Sequence, residues 1–490
     1  RISFRTRRRV IALRSSSDSR EEMAGWPPWA KWLFVGLLGG LGVLTAARKR
    51  KGRHKKQQQD VAKKEKNGHG TAQEAAFASL QRDYLVVYLM IMLADWLQGT
   101  NMYTLYSAYG QSVSTLFLTG FTSALFFGTF AGTLVDKYGR RKACLWFCVL
   151  EVAINLMEHV NDVTVLMAGR VLGGVSTSLL FTAFESWMVS EHRRRGFPEE
   201  WLASTFGLAA FGNGCVAVVA GVLAQVACDR WGDIGPFRLA IALTVLAMAA
   251  IFLRWPENSF SLVTTTPAAA AAAAKNGENG NGKAIDYTGE AWACVRRNGA
   301  VARVFAVNAL SEGATFTFVF LWVPTLLRHD GALPTGLVFA CLMLCIAAGG
   351  ETFSLLLDGG FSCPALTAAA LAAATVAALV AAAACASSFV LTVAAFLLLE
   401  ACVGCLQACA SSLRALVVPD HLQSSISNIG RVPLNLLVVL GTTLADRATA
   451  SGQTHLAFLA VASLFGLAAA IQLSGLNAVG GDTNKAVKSN

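Results

Sequence analysis

Charge is what this chain has least of. Only 14% of its 490 residues are Asp, Glu, Lys or Arg, while 54% are hydrophobic. Soluble domains carry about 25% charged residues. So low a charge content over this length excludes a soluble multidomain protein and indicates a polytopic membrane protein. Histidine is scarce too, at 7 residues. The sequence has no Gly-x-Ser-x-Gly elbow, no His-Glu-x-x-His, no phosphate loop and no paired catalytic His, so an enzyme is not expected. The 12 cysteines lie mostly inside apolar stretches. Cys402, Cys405 and Cys409 share a helical face, as do Cys341 and Cys345, but no His or carboxylate joins them at close spacing. They read as small packing residues, and neither a metal nor a cofactor is expected. The net charge of +11 resides in short loops and tails. There it sets topology and meets anionic lipid, so nucleic acid is not the expected partner.

What the chain does have is long hydrophobic runs. A membrane-spanning helix needs about 20 mostly apolar residues. One run covers Ala30–Ala47 and twelve more follow. Six lie near Tyr84–Tyr106, Ser112–Val135, Ala143–Val160, Val163–Val189, Trp201–Cys228 and Pro236–Leu253. Six more lie near Val301–Leu327, Pro334–Leu357, Pro364–Ala386, Phe389–Leu413, Ser424–Leu444 and His455–Leu473. The expected organisation is a basic Ser/Arg-rich N-terminus (1–29), an extra anchor helix (30–47) and a basic cytoplasmic segment (48–82). A six-helix bundle (83–254), a cytoplasmic linker (255–300), a second six-helix bundle (301–474) and a cytoplasmic tail (475–490) follow. The linker carries the alanine run Ala268–Ala274 and the Gly/Asn-rich Asn276–Gly282, and reads as flexible.

Loop charges orient the helices. Basic clusters at Arg48–Lys66, Lys137–Lys142, Arg193–Arg195 and Arg296–Arg303 all fall on one side of the twelve-helix body. The opposite loops, such as Glu158–Asp162 and Gly110–Ser112, are nearly free of positive charge. The basic side is therefore cytoplasmic. In the extra helix, Gly36, Gly39, Gly40 and Gly42 offer a close-packing face. The chain begins without Met, and Met23 is its first. Either the N-terminus is incomplete, or Arg1–Glu22 is untranslated or processed; its Arg/Ser-rich, acid-poor character also suits a transit peptide.

An ionisable group at mid-membrane costs roughly 2.5–3.5 kcal/mol on insertion scales, so those present are functional candidates. On the first body helix, Tyr88, Asp95, Gln98, Met102 and Tyr106 share a face. On the fourth, Arg170, Gly174, Thr177, Phe181 and Glu185 do so, on the seventh Asn308, Glu312 and Thr315, and on the eleventh Asn428, Arg431 and Asn435. Each has a structural alternative. Asp95 could simply cap or pair with a neighbouring helix, and Arg170 could form a structural ion pair with Asp95 or Glu185. Glu151, Glu351 and Glu400 lack comparable polar neighbours in sequence and rank low. Trp187 and Trp201 read as interfacial anchors.

Two resemblances add to this reading. The turn Gly132-Thr-Leu-Val-Asp136-Lys137-Tyr138-Gly139-Arg140-Arg141 resembles the signature cytoplasmic loop of the major facilitator superfamily of secondary transporters. Gly132 permits close helix approach and Gly139 a sharp reversal. Arg170-x-x-x-Gly174 resembles the fourth-helix motif of the superfamily. The implied fold is an all-α polytopic major facilitator fold of two six-helix bundles, here with one extra N-terminal hydrophobic helix. In that fold helices 1, 4, 7 and 10 line a central cavity, with 2, 5, 8 and 11 beside them.

More specifically, Asp95-Trp96-Leu97-Gln98 with Tyr103-Thr-Leu-Tyr106 resembles the first helix of the molybdate-anion transporter family. The run Gly169–Trp187 resembles its fourth helix, Glu191-His192 and Phe197–Trp201 its next loop, Phe318–Pro324 its seventh helix and Arg431-Val-Pro433-Leu434 its eleventh. Thr100-Asn101 departs from the family's small residue and proline, and the linker is longer. The resemblance implies uptake of molybdate, a tetrahedral dianion, by alternating access, with no cofactor, by a monomer in the plasma membrane; the Arg/Ser-rich start leaves an organelle open. Such a substrate needs donors around it. Arg170 and Arg431 are the candidate charges, with Gln98, Asn435, Thr177 and Tyr106 as orienting donors. Asp95, Glu185 and Glu312 are candidate proton carriers or gates. A sugar or organic-anion transporter, or a non-transporting receptor on the same fold, are the competing readings.

Overall fold

Helix ends follow local chemistry. Asp162 caps the helix after it, its Oδ1 accepting from the amides of Thr164 (2.9 Å) and Val165 (3.1 Å), and Asn298 does the same for Ala300 (3.0 Å) and Val301 (3.3 Å). Gly139 takes φ +104°, a backbone conformation that disfavours a side chain, and joins two helices with no loop between them. This computed structural model describes residues 26–63, 71–258, 287–331, 333–418 and 423–487.

The helices in chain order are α1 (Pro28–Lys63), α2 (Thr71–Ala108), α3 (Val113–Tyr138), α4 (Arg140–Met157), α5 (Val163–Arg194), α6 (Glu199–Trp231) and α7 (Gly235–Arg254). Then come α8 (Tyr287–Arg297), α9 (Gly299–His329), α10 (Thr335–Asp358), α11 (Cys363–Ala384), α12 (Phe389–Val417), α13 (Gln423–Ser451) and α14 (Thr454–Val487). Among the described residues, 10 helices are long and apolar enough to cross a membrane. Of the other expected spans, α3 has a shorter apolar stretch, Val113–Gly128. The 18 residues of α4 include Arg140, Arg141, Lys142 and Glu151. The remaining one is α13.

α2 to α7 pack on one another, and so do α9 to α14. The two halves meet chiefly through α3 against α13 and α6 against α10. At the second crossing, a Cβ on Gly221 would lie 2.6 Å from the Gly336 carbonyl, so only glycine allows the backbones this close. On the non-cytoplasmic side Phe117 and Phe121 of α3 pack edge-on against Phe316 and Phe320 of α9, with centroids 4.9–6.0 Å apart.

Three expectations change here. The start of the linker is built into the first half. Trp255 stacks on Trp187 at 3.7 Å, Trp187 Nε1 donates to the Pro256 carbonyl (3.0 Å), and Asn258 Nδ2 donates to the Trp187 carbonyl (3.1 Å). Trp187 is thus buried and is not an interfacial anchor. Further on, α8 is helical, while 259–286, with the alanine run, lie outside the described residues. Finally, α1 does not pack through its glycines. Nothing lies within 4 Å of a Cβ built at Gly36, Gly39, Gly40 or Gly42. Its less exposed stripe is Ala30, Leu33, Leu37, Leu41 and Leu44, at helical spacing.

Candidate functional site

α2, α4 and α5 bring together a polar network inside the first half. Gln98 and Tyr106 lie eight positions apart on α2, so they sit on one face. Glu151 and Glu158 lie seven apart at the end of α4 and face them. Gly174 sets the depth of α5, since any Cβ there would collide with Ser123 and the backbone of Ala124 on α3.

Glu158 is the anionic centre. Its side chain is 1% exposed, and its Oε1 lies 2.6 Å from Arg170 Nη2. The same oxygen accepts from the Tyr106 hydroxyl (2.8 Å), and Tyr109 donates to the Glu158 carbonyl (2.9 Å). Arg170 Nη1 faces only the Met102 thioether, at 3.1 Å, a weak acceptor. The guanidinium also sits 5.8 Å from the Tyr106 ring centroid, close enough for a cation–π contact. Two buried atoms, Arg170 Nε and Glu158 Oε2, have no hydrogen-bond partner among the described residues. Two turns deeper, Glu151 accepts from Gln98 Nε2 (2.9 Å) and Ser176 Oγ (2.6 Å).

The structure brings several of these candidates together, with partners that the sequence had not paired. Arg170 pairs with neither Asp95 nor Glu185 but with Glu158, which the loop reading had assigned to a positive-poor turn. Glu151, ranked low for lack of polar neighbours, has two donors from other helices. The seven-residue spacing of the two acids was the available signal. Gln98, Tyr106 and Arg170 are brought together, each bonded to an α4 carboxylate. Thr177 and Glu185 are exposed on the adjoining face of α5, and Asp95 is exposed on α2 and makes no hydrogen bond among the described residues. Thr177 donates to Gly173 of its own helix (2.8 Å). Tyr88 lies within electrostatic reach of both Asp95 and Glu185.

In the second half Glu312 is exposed on α9, while Asn308, Thr315 and, on α13, Asn435 are half-buried. The side chains of Asn428 and Arg431 lie outside the described residues, as do those of Asp136 and Lys137 and the surroundings of Gly132. The cytoplasmic turn shows an acid that the sequence had not singled out. Glu257 accepts from the amides of Arg141 and Lys142, both at 3.1 Å, and so caps α4. Arg140 Nη1 donates to Ser190 (2.7 Å) and the Asn258 carbonyl (3.0 Å), and Arg141 Nη2 to the Phe252 carbonyl (2.8 Å). A cavity of about 530 Å³ opens at the end opposite this turn, lined among others by Tyr103, Gln111, Ser114, Thr442 and Asp446. Neither Arg170 nor Asp95 lines it.

Known proteins share this architecture. A family model described as sugar transporters with 12 TM segments matches residues 59–407. A molybdate-anion transporter of Xenopus tropicalis is 33% identical over 80% of this chain and 86% of its own length. That of Danio rerio is 31% identical over 75% and 79%. Among solved structures, an auto-inhibited peptide transporter of the POT family superposes with a TM-score of 0.61 at 14% identity, covering 82% of this chain and 96% of that one. The nucleoside transporter NupG gives 0.59 at 11% identity, covering 81% and 98%. With helices that span a membrane many times, a major facilitator fold and relatives at this identity, the chain is a multi-pass membrane transporter and belongs to the molybdate-anion transporter family of the major facilitator superfamily.

Proposed function

We propose that this chain takes up molybdate by alternating access of its two halves, as a monomer in the plasma membrane, and that uptake is coupled to protons. The observation that carries this reading is Arg170. It is a buried guanidinium with an unpartnered Nε, a second nitrogen on a thioether, and all of its ionic bonding on a single carboxylate oxygen. Such a group has donor capacity left for a tetrahedral oxyanion. The names carried by the relatives point to the same substrate.

The charge inventory bears on the coupling. Along the membrane-spanning parts of α2, α4 and α5, Arg170 is one cation to the four carboxylates Asp95, Glu151, Glu158 and Glu185, and of these Glu158 and Glu151 lie within its electrostatic reach. One cation among four carboxylates repels a dianion unless protons accompany it. The membrane potential adds about 4.6 kcal/mol per dianion at 100 mV, twice the cost of a single charge. Asp95, Glu185 and Glu312 remain the proposed proton carriers, since each is exposed on its helix face. Glu158 is the proposed competitor of the substrate for Arg170: protonated, it releases the guanidinium.

The test is molybdate uptake in cells lacking their own molybdate transport, with and without the chain. Saturable uptake is expected, abolished in Arg170→Ala and reduced when the pH gradient is collapsed at fixed voltage. No uptake by a correctly inserted protein would overturn the substrate assignment. The family model's description makes a sugar the second reading, and competition by sugars in the same assay would favour it.

A further inference from the structure

The helix that precedes the twelve-helix body makes bonds to both halves. On the second half, Trp29 packs edge-on against Phe389 with centroids 5.1 Å apart. Trp29 and Leu33 join the main apolar cluster of that half. About five turns beyond Trp29, Arg48 Nη1 meets Glu351 Oε1 of α10 at 2.8 Å, and the Glu351 side chain is only 14% exposed. A carboxylate in a membrane-spanning helix is costly without a countercharge. For Glu351 the countercharge comes from α1, which fastens α1 to α10 at its cytoplasmic end.

On the first half, the bond comes from the residues just before α1. Trp26 Nε1 donates to Asp229 Oδ2, at the end of α6 (2.9 Å). The other oxygen of Asp229 accepts from Gln225 Nε2 (2.8 Å). Gln225 in turn accepts, through Oε1, from the amide of Gly336 at the start of α10 (3.0 Å). Gly336 is the residue that touches Gly221 at the α6–α10 crossing. One continuous chain of hydrogen bonds therefore runs from Trp26 through Asp229 and Gln225 to Gly336, across the seam between the halves.

We infer that α1 is a latch on the non-cytoplasmic seam: it rides on the second half and holds the first half shut through Trp26 and Asp229. The geometry leaves little alternative once the halves rock. Opening that side separates the end of α6 from the start of α10. α1 is fixed to α10 by Arg48 and to α12 by Trp29, so it moves with the second half. Trp26 must then leave Asp229, and Gly336 must leave Gln225. Each bond made only in the closed state biases the equilibrium toward it. This inference rests on the two-half motion of the proposed mechanism and on no particular substrate.

The test reads seam opening directly and needs no substrate. In the full chain, Thr177→Cys serves as a reporter, labelled by a membrane-impermeant maleimide from the non-cytoplasmic side and corrected for labelling of the parent chain. Trp26→Phe keeps the aromatic body and removes only the indole N–H, so insertion at parent levels is expected. It should raise the labelling rate about three- to tenfold, the range of one ordinary intramolecular hydrogen bond. Asp229→Ala frees both Trp26 and Gln225 and should raise it further. The double variant should match Asp229→Ala alone. Labelling equal to the parent in Trp26→Phe would overturn the latch, leaving α1 a passive anchor. So would an added effect of Trp26→Phe on the Asp229→Ala background, because the bond would not run through Asp229. Failure of molybdate uptake by the parent chain, which keeps Thr177, with seam labelling as expected would overturn the substrate reading alone.

Discussion

The first half buries Glu151, Glu158 and Arg170 in a bonded network. The second half meets instead through glycine and alanine. α10 and α12 approach until a Cβ on Gly349 would strike the Ala401 carbonyl and one on Gly404 the Ile346 carbonyl. α11 buries alanines along its length, among them Ala370, Ala374, Ala377, Ala378 and Ala381. The one deeply buried acid there, Glu400, is 3% exposed and makes no hydrogen bond among the described residues. Helices in lipid gain little from burying apolar surface against each other, so they associate by close backbone packing or by polar bonds. The first half adds a buried polar network to such packing, while the second relies on close backbone contact. A half held by polar bonds can rearrange them when a proton or anion arrives. A half held by backbone contact moves as a block.

The strongest way to break the comparison is Glu158→Ala. It leaves Arg170 buried without its ionic partner, which costs about 3–5 kcal/mol. A large fall in the melting midpoint of the detergent-solubilised protein is expected. An unchanged midpoint would mean that the network is not structural. Next in size is Gly404→Ala, where a single methyl in a close-packed crossing costs about 1–3 kcal/mol. Its melting midpoint should fall although no polar bond is lost, and tolerance of the methyl would count against a backbone-packed second half. The smallest effect has the opposite sign. Glu400→Met replaces an unbonded buried carboxylate by an apolar chain and should raise stability by about 1–2 kcal/mol. Its melting midpoint therefore rises where that of Glu158→Ala falls. Should Glu400→Met destabilise, the acid has a partner in the protein and the two halves are more alike than described.

Much of this was readable in the residues, and the misses have physical reasons. Gln98, Tyr106 and Arg170 were found because helical spacing places them on interior faces. Glu158 was missed because it lies at the apparent end of a hydrophobic run, where an acid normally meets water. The helix turns it inward to Arg170. Trp187 was taken for an interfacial residue because aromatic belts are common at membrane surfaces. Trp255, 68 positions further along the sequence, covers it. The glycines of α1 suggested close packing, but the stripe at Ala30 and Leu33 is the one that meets the body. A glycine permits close approach without requiring it.

Hydrophobic length, loop charge and local caps belong to single segments. The sequence alone therefore pointed to a membrane body of two six-helix bundles with its basic loops on one side and an additional helix before it. Partnership is a property of pairs of segments. Which carboxylate neutralises Arg170, what caps α4 and what α1 holds together depend on how each helix is rotated and shifted against its neighbours. A shift of one residue turns a side chain by about 100° around its axis. Only the packed structure could choose Glu158 for Arg170, Glu257 for the start of α4, and Asp229 for Trp26.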